Sequence, residues 1–382
     1  MSTPTRIPPG GIGHSPPHFR AQLPNPAQGH TGTVTTTGND VALEQLYADF
    51  AANNLMPLWT VRGDLMPKAP SPHAVPQVWR WADVLPIAER AGQLVPVGRG
   101  GERRAIAYAN VGLKPEPYAT PTLWAAAQYL GPRELAPAHR HSQSAFRFVL
   151  EGEGVWTVVD GDPVAMRRGD LLLTAGWRWH EHHNIADAPM VWLDGLDIPL
   201  VSGLDAGFFE FGADELTDRS TPDRSRNERL WAHPGLRPVS AGPAKTSPLM
   251  AYRWEHTDAA LAAQLELEAE GRDGVLAPGH AAVRFTNPTN GGDALVTIRL
   301  EMHRLAAGAS STLPRRVGSS VWQVFDGDGV IDLAGEAHEV RRGDVFAVPS
   351  WCPMKVNAAT TLNLFMFSDA PVYEALSLAD PE

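Results

Sequence analysis

Ala136-Pro137-Ala138-His139-Arg140-His141-Ser142-Gln143-Ser144-Ala145-Phe146-Arg147-Phe148, with Gly176-Trp177-Arg178-Trp179-His180-Glu181-His182-His183-Asn184 further on, is the sequence that decides the fold. Successive side chains of a β-strand point to opposite faces, so His139 and His141 share one face and their imidazoles can converge on one ion. The third ligand must arrive from another strand, and His180 is the candidate. Between the two stretches lie a glycine-closed hairpin signal at Glu151-Gly152-Glu153-Gly154 and a strand-like run, Val155-Trp156-Thr157-Val158-Val159. A turn at Asp160-Gly161-Asp162 and an apolar run, Leu171-Leu172-Leu173, follow. This is the pattern of a small antiparallel barrel folding back on itself around a three-histidine metal site.

Two histidines at this spacing carry little weight alone; their surroundings carry more. Gly131 precedes the pair, Gly152 follows it, Gly169-Asp170 precedes His180, and Asn184 comes four residues after His180. Together these resemble the two sequence motifs of the cupin superfamily. A typical cupin places a glutamate ligand four or five residues after the second histidine, where this chain has Ala145 and Phe146. Three neutral imidazoles leave a divalent ion its full charge and, if it is octahedral, three open positions on one face. Such a centre suits an anionic chelating substrate and one further small ligand.

The chain has 382 residues, 43% hydrophobic and 20% charged, enough for one or two domains with sizeable cores. A net charge of −11 implies no nucleic-acid or anionic-membrane surface. An uninterrupted apolar run of about 20 residues is absent, and Met1-Ser2-Thr3-Pro4 does not open a signal peptide, so a cytoplasmic protein is expected. Cys352 is the only cysteine, which excludes an intrachain disulfide and a thiolate cluster. It reads as a small buried apolar residue.

Residues 1–38 are rich in Pro, Gly and Thr and read as a flexible arm. A helical segment is expected over 39–100, with one helix after the Asn39-Asp40 cap from Val41 to Leu55 and another from Ala82 to Leu94. An N-terminal barrel is expected over 101–201. Residues 202–255 read as a linker packed on the barrels, since Phe208, Phe209, Phe211 and Trp231 would otherwise be exposed. A C-terminal barrel over 256–382 starts with a helix at Asp258–Glu270.

The second half repeats the first. Phe325-Asp326-Gly327-Asp328-Gly329 echoes Leu150-Glu151-Gly152-Glu153-Gly154, and Arg341-Arg342-Gly343-Asp344 echoes Arg167-Arg168-Gly169-Asp170, each about 175 residues on. In that register His139 and His141 fall on Pro314 and Arg316, and His180 falls near Met354 or Lys355. The second barrel is therefore expected to be metal-free, with His303 an ordinary satisfied histidine.

Longer stretches carry a closer resemblance. Trp124–Arg133 and Ala138–Phe148, with Gly100–Ala105, Trp192–Asp197, Leu230–Gly235 and Phe367–Pro371, resemble the gentisate 1,2-dioxygenase family. The likeness runs from about residue 40 to near the end of the chain. The family comprises bicupin iron enzymes, including relatives acting on salicylate and 1-hydroxy-2-naphthoate, so the resemblance implies an all-β-dominated fold of two antiparallel jelly-roll barrels with N-terminal and linker helices. It implies Fe(II) on His139, His141 and His180, chelated by an ortho-hydroxybenzoate, with O2 in the remaining position and gentisate opened to maleylpyruvate.

The same resemblance assigns Gln128 and Arg103 to substrate binding, His182 to hydrogen bonding with substrate or oxygen, and Asp194 to the pocket. Trp124 is a wall, and Ala126, a methyl where relatives taking a single-hydroxyl substrate carry glycine, leans toward gentisate. Arg147, six residues after His141, returns to the same face if the strand is unbroken, and its planar fork suits a carboxylate. Trp177 and Trp179 are further wall candidates. A homotetramer is implied by resemblance. Rival readings are another metal-dependent cupin, such as an oxalate decarboxylase or a zinc hydrolase, and a non-enzymatic bicupin binding a small acid. The missing glutamate counts against the decarboxylase.

Overall fold

Two barrels stand back to back through their larger sheets, whose central strands are buried on both faces. The structure, a computed structural model, describes residues 38–96, 104–212 and 220–379. Arg103 and, but for Gly38, the arm expected over 1–38 lie outside them. The chain divides into two units at Ala69/Pro70. In the first, α1 (Gly38–Ala52) and α2 (Leu58–Leu65) meet through an edge-on contact of Phe50 and Trp59, with ring centroids 5.8 Å apart. α1 starts and ends about three residues earlier than its expected span.

The second unit opens with β1 (Gln77–Trp79) and α3 (Trp81–Leu94). The first barrel follows: β2 (Ala105–Ala107), β3 (Trp124–Leu130), β4 (Leu135–His141), β5 (Ala145–Glu151), β6 (Val155–Val159), β7 (Asp162–Met166), β8 (Leu171–Thr174), β9 (His180–Asn184) and β10 (Met190–Leu196). A connecting stretch contributes α4 (Ile198–Gly203), β11 (Phe209–Phe211), α5 (Arg226–Trp231), β12 (Ala251–Tyr252) and α6 (Trp254–Ala269). The second barrel comprises β13 (His280–Arg284), β14 (Arg299–Leu305), β15 (Ser310–Leu313), β16 (Ser320–Asp326), β17 (Asp328–Leu333), β18 (Glu336–Arg341), β19 (Val345–Val348), β20 (Met354–Ala358) and β21 (Leu362–Ser368), and α7 (Ala370–Ala375) ends the described chain.

Each barrel pairs a six-stranded sheet with a smaller one. The orders are β12-β8-β5-β10-β3-β2 with β11-β4-β9-β6-β7, and β1-β19-β16-β21-β14-β13 with β15-β20-β17-β18. All strand pairs are antiparallel, and the second barrel reproduces the order of the first. The six-stranded sheets pack on each other through one shared core: Phe148 stacks on Phe365 with centroids 4.1 Å apart, and Phe146 meets Phe367 edge-on at 4.8 Å. Aromatic pairs of this geometry add about 0.5–1.5 kcal/mol beyond their buried area. Phe146 and Phe148 point out of β5 toward the partner barrel, so Ala145, Arg147 and Val149 point inward.

A reciprocal clasp ties the barrels together. Residues 77–79, expected within a helical segment, form β1 and pair with β19 of the second barrel, while β12 pairs with β8 of the first. Trp81 N and Arg80 Nη1 donate to Asp344 at 2.8 and 3.0 Å, as Trp254 N and Arg253 Nη1 donate to Asp170 at 2.9 and 2.5 Å. Gly169 and Gly343 sit at φ +84° and +91°, and a Cβ on either would overlap the docked Trp254 or Trp81 ring. The Arg-Arg-Gly-Asp repeat is thus the receptor for an Arg-Trp segment crossing from the other half.

Candidate active site

β4 and β9 are neighbours, with His139 directly opposite His180. The imidazoles of His139, His141 and His180 gather inside the first barrel, with centroids 4.2 Å apart for His139–His180, 5.0 Å for His141–His180 and 5.9 Å for His139–His141. Each Nδ1 lies against a backbone carbonyl: Pro137 O at 2.9 Å, Gln143 O at 2.8 Å and Arg178 O at 3.0 Å. A carbonyl can only accept, so each Nδ1 carries the proton and each Nε2 keeps its lone pair. One ligand atom from each residue lies within 4.8 Å of the others, and His180 Nε2 is buried with no hydrogen-bond partner among the described residues. Burial first, and then His139, Arg147 and the other neighbours, hold the His180 pKa well below its ordinary value. Neutral, preoriented imidazoles converging on one point fit a divalent metal ion. Ala145, buried at the start of β5, supplies no carboxylate.

The opposite wall belongs to the six-stranded sheet. Arg147 on β5 and Ala126 on β3 both stand directly across from Asp194 on β10, and Gln128 stands across from Trp192 one row further along. The route to Arg147 differs from that expected from spacing. Ser142–Ser144 break the strand, and Arg147 reaches the interior from the other sheet rather than from the strand of His141. Arg147 Nη1 donates to Thr174 Oγ1 at 2.6 Å, and its Nε is 3.6 Å from Asp194 Oδ1, too far for a hydrogen bond. That buried Nε has no acceptor among the described residues. Burial raises the Asp194 carboxyl to about 6, with Arg147 and the Trp192 Nε1–H donor at 2.9 Å opposing the rise. Burial also lowers Arg147, which Asp194 counteracts.

His182 lies two residues beyond His180 on the same inner face, its ring 5.9 Å from that of His180 and 5.5 Å from that of Trp192. Thr157 Oγ1 lies 2.9 Å from His182 Nδ1 and donates its single proton to Met166 Sδ at 3.1 Å. The hydroxyl must then accept from Nδ1–H, which leaves His182 Nε2 unprotonated. Burial and the Arg147 charge hold its pKa well below the ordinary value, so it is a neutral acceptor.

The sequence reading placed some residues wrongly and missed others. Trp177 is exposed and stacks on Phe208, with centroids 5.1 Å apart, while Trp179 lies under the outward-facing Arg140 guanidinium at 4.8 Å, so neither lines the barrel interior. His183 turns outward, as the alternation along a regular strand predicts, its Nε2 2.8 Å from Glu181 Oε1. Phe209, from the linker, pairs across from His141 and stacks on the His139 ring at 5.4 Å. Thr157 and Thr174 were detectable, as lone hydroxyls at inward positions of otherwise apolar strands.

Fold and site together define the class: a bicupin with, among the described residues, one three-histidine cluster, in its N-terminal barrel. Residues 127–196 match the cupin domain family. A gentisate 1,2-dioxygenase of Streptomyces sp is 64% identical over 91% of this chain and 98% of its own length. A 5-aminosalicylate 1,2-dioxygenase of Comamonas sp is 36% identical over 88% of this chain and 89% of its own. The crystal structure of a salicylate 1,2-dioxygenase from Pseudoaminobacter salicylatoxidans, in adducts with gentisate, superposes with a TM-score of 0.87 at 57% identity, covering 89% of this chain and 93% of that one. The chain belongs to the gentisate 1,2-dioxygenase family of ring-cleaving dioxygenases.

Proposed function

We propose that the first barrel opens the ring of gentisate with O2, between the carboxyl-bearing and 2-hydroxyl-bearing carbons, giving maleylpyruvate, with Fe(II) held by His139, His141 and His180. One carbon–carbon bond breaks, both oxygen atoms enter the product, and the ring supplies the electrons, so no external reductant is needed. When bound, ferrous iron offers the centre that the substrate carboxylate and ortho-hydroxyl chelate and through which ring electrons reach O2. An all-imidazole site favours this chemistry because the dianionic chelate balances the metal charge that a glutamate ligand would otherwise neutralise.

The observation that carries the reading is a metal-ready triad facing a buried arginine with an unused donor. Arg147 Nε meets the substrate carboxylate, completing in the complex the hydrogen bond it lacks in the free protein. Asp194 and Thr174 hold the guanidinium in place. Gln128, on the same inner face, supplies an amide, and Trp124 and Ala126 close the ring's side of the pocket. His182, with Nδ1 engaged by Thr157, accepts a hydrogen bond from the substrate hydroxyl at Nε2. The methyl of Ala126, wholly buried, sets the space beside the ring and can shift preference between substrates by about 1–3 kcal/mol, and substituted salicylates are the second reading. A cytoplasmic homotetramer is part of the proposal, on the family resemblance and the single unpaired cysteine.

Protein reconstituted anaerobically with Fe(II) and mixed with gentisate and O2 should consume one O2 per substrate and develop the product absorbance. Parallel runs with salicylate and 1-hydroxy-2-naphthoate rank the substrates. Failure to turn over any of the three refutes the proposal.

A further inference from the structure

The second barrel keeps a cavity of about 520 Å³ in its interior and mouth. Apolar side chains stand where the first barrel has His139, His180, Arg147 and Asp194. Trp322 and Met366 face each other on β16 and β21 as Arg147 and Asp194 do on β5 and β10. Leu313 stands opposite Met354 as His139 stands opposite His180, so the counterpart of His139 is Leu313, one residue before the expected Pro314. Both Met354 and Met366 line the space with the Trp322 ring.

Of the polar groups that remain, Asp369 is already held, accepting from Ser319 N at 2.7 Å and from Thr122 Oγ1, and two others bear on a ligand. At the mouth, Arg316 is exposed and makes no side-chain hydrogen bond or ion pair within its reach among the described residues. On the wall, Glu301 and His303 replace Ala126 and Gln128 and end a closed chain of hydrogen bonds. Ser311 Oγ meets His280 Nδ1 at 2.8 Å, His280 Nε2 meets His303 Nδ1 at 3.0 Å, and His303 Nε2 meets Glu301 Oε2 at 3.3 Å. Arg284 Nε donates to Glu301 Oε1 at 3.2 Å. Every acceptor of this chain has its donor, so Glu301 is already satisfied and does not call for a cation. Arg316 is left without a hydrogen-bonded anion among the described residues: the Glu374 carboxylate, which its charge reaches, is taken by Arg299 Nη1 and Nη2 at 2.8 Å each.

We infer that this cavity binds a small aromatic monocarboxylate, its ring among Trp322, Met354 and Met366 and its carboxylate on Arg316. Methionine sulfur and an indole face favour an aromatic body, and a planar guanidinium favours a carboxylate. The inference does not rest on the substrate assigned to the first barrel.

Cys352, the chain's single cysteine, lines the same cavity and is only partly buried, so its reactivity reports occupancy without any activity assay. Full-length protein is alkylated with N-ethylmaleimide without O2 and followed by intact mass. Saturating benzoate should slow the reaction about tenfold. Benzamide and hexanoate should protect far less. Arg316→Gln should raise the half-protecting benzoate concentration at least about tenfold, with the unliganded rate unchanged, since a charge-assisted pair is lost. His139→Ala should leave protection intact. Alkylation that benzoate does not slow, equal protection by benzamide or hexanoate, an unshifted Arg316→Gln, or protection lost in His139→Ala would each overturn the assignment.

Discussion

Replacing Thr157 with valine removes one hydroxyl from a buried row of Met166, Thr157 and His182. The side chains are nearly isosteric and valine suits a strand, so β6 should keep its packing. What changes is the proton on His182. In the native row Nδ1–H is held by Thr157 Oγ1, and valine leaves that donor facing hydrocarbon. A buried unsatisfied donor costs about 1–3 kcal/mol, so the imidazole moves its proton to Nε2 instead. The nitrogen that accepts the substrate's hydrogen bond is then blocked, and regaining the productive tautomer costs that same amount. At about 1.4 kcal/mol per factor of ten, kcat/KM falls between about fivefold and about 150-fold.

The assay is oxygen uptake by iron-loaded enzyme, with metal content measured in parallel so that loss of metal is not mistaken for loss of the acceptor. Thr157→Ser restores the hydroxyl and should recover most of the activity. A valine variant with full iron and native kcat/KM would refute the tautomer argument, because no other group among the described residues is in place to hold Nδ1.

Three further outcomes follow from the same geometry. His139→Ala should purify with background iron, whereas His182→Ala should keep its iron and lose turnover; metal analysis of both separates ligand from acceptor. Arg147→Met should raise KM for the aromatic acid by about tenfold to 150-fold, the worth of a charge-assisted hydrogen bond of about 1.5–3 kcal/mol, and an unchanged KM removes its carboxylate role. For Asp194, burial raises the folded pKa to about 6 from an unfolded value near 3.9, so its ionisation penalises the fold above about pH 6 and the penalty disappears as pH falls toward 4. Relative to Asp194→Asn, the native protein should gain stability over that window in urea titrations, and a constant difference contradicts the assignment.

Side-chain periodicity made the triad legible. His139 and His141 had to share a face, and His180 lay the right number of turns away to return beside them. Arg147 faces inward for a reason its spacing from His141 does not capture, since a bend at Ser142–Ser144 moves it to the other sheet, where its inward direction is again fixed by period two from the interface-facing Phe146 and Phe148. The pairing of β1 and β12 with distant strands left no local signal. Three- and two-residue strands show no alternation, and their partners, β19 and β8, lie far along the chain. The Arg-Arg-Gly-Asp repeat was visible as a repeat, but its purpose depends on Arg-Trp segments that belong to the opposite half.

That division of labour explains how one scaffold can carry two barrels with different interiors. From the six-stranded sheets the shared core takes outward residues, such as Phe148 on β5 and Phe325 on β16, whose rings meet edge-on at 5.3 Å. The inward residues of the same strands never enter it. Because the side-chain period is two, a change at Arg147 or Trp322 alters one barrel's interior and leaves the inter-barrel contact untouched. The interior of the first barrel must keep buried charge in balance, and does so with Arg147, Asp194 and the hydroxyl of Thr174. At the same register the second barrel has Trp322, Met366 and Val348, of which only the Trp322 indole N–H needs a partner, and Ser320 Oγ accepts from it at 2.8 Å. Duplication under this geometry separates folding from chemistry, with the outward faces holding the two halves together and each inward face free to keep, lose or replace a site.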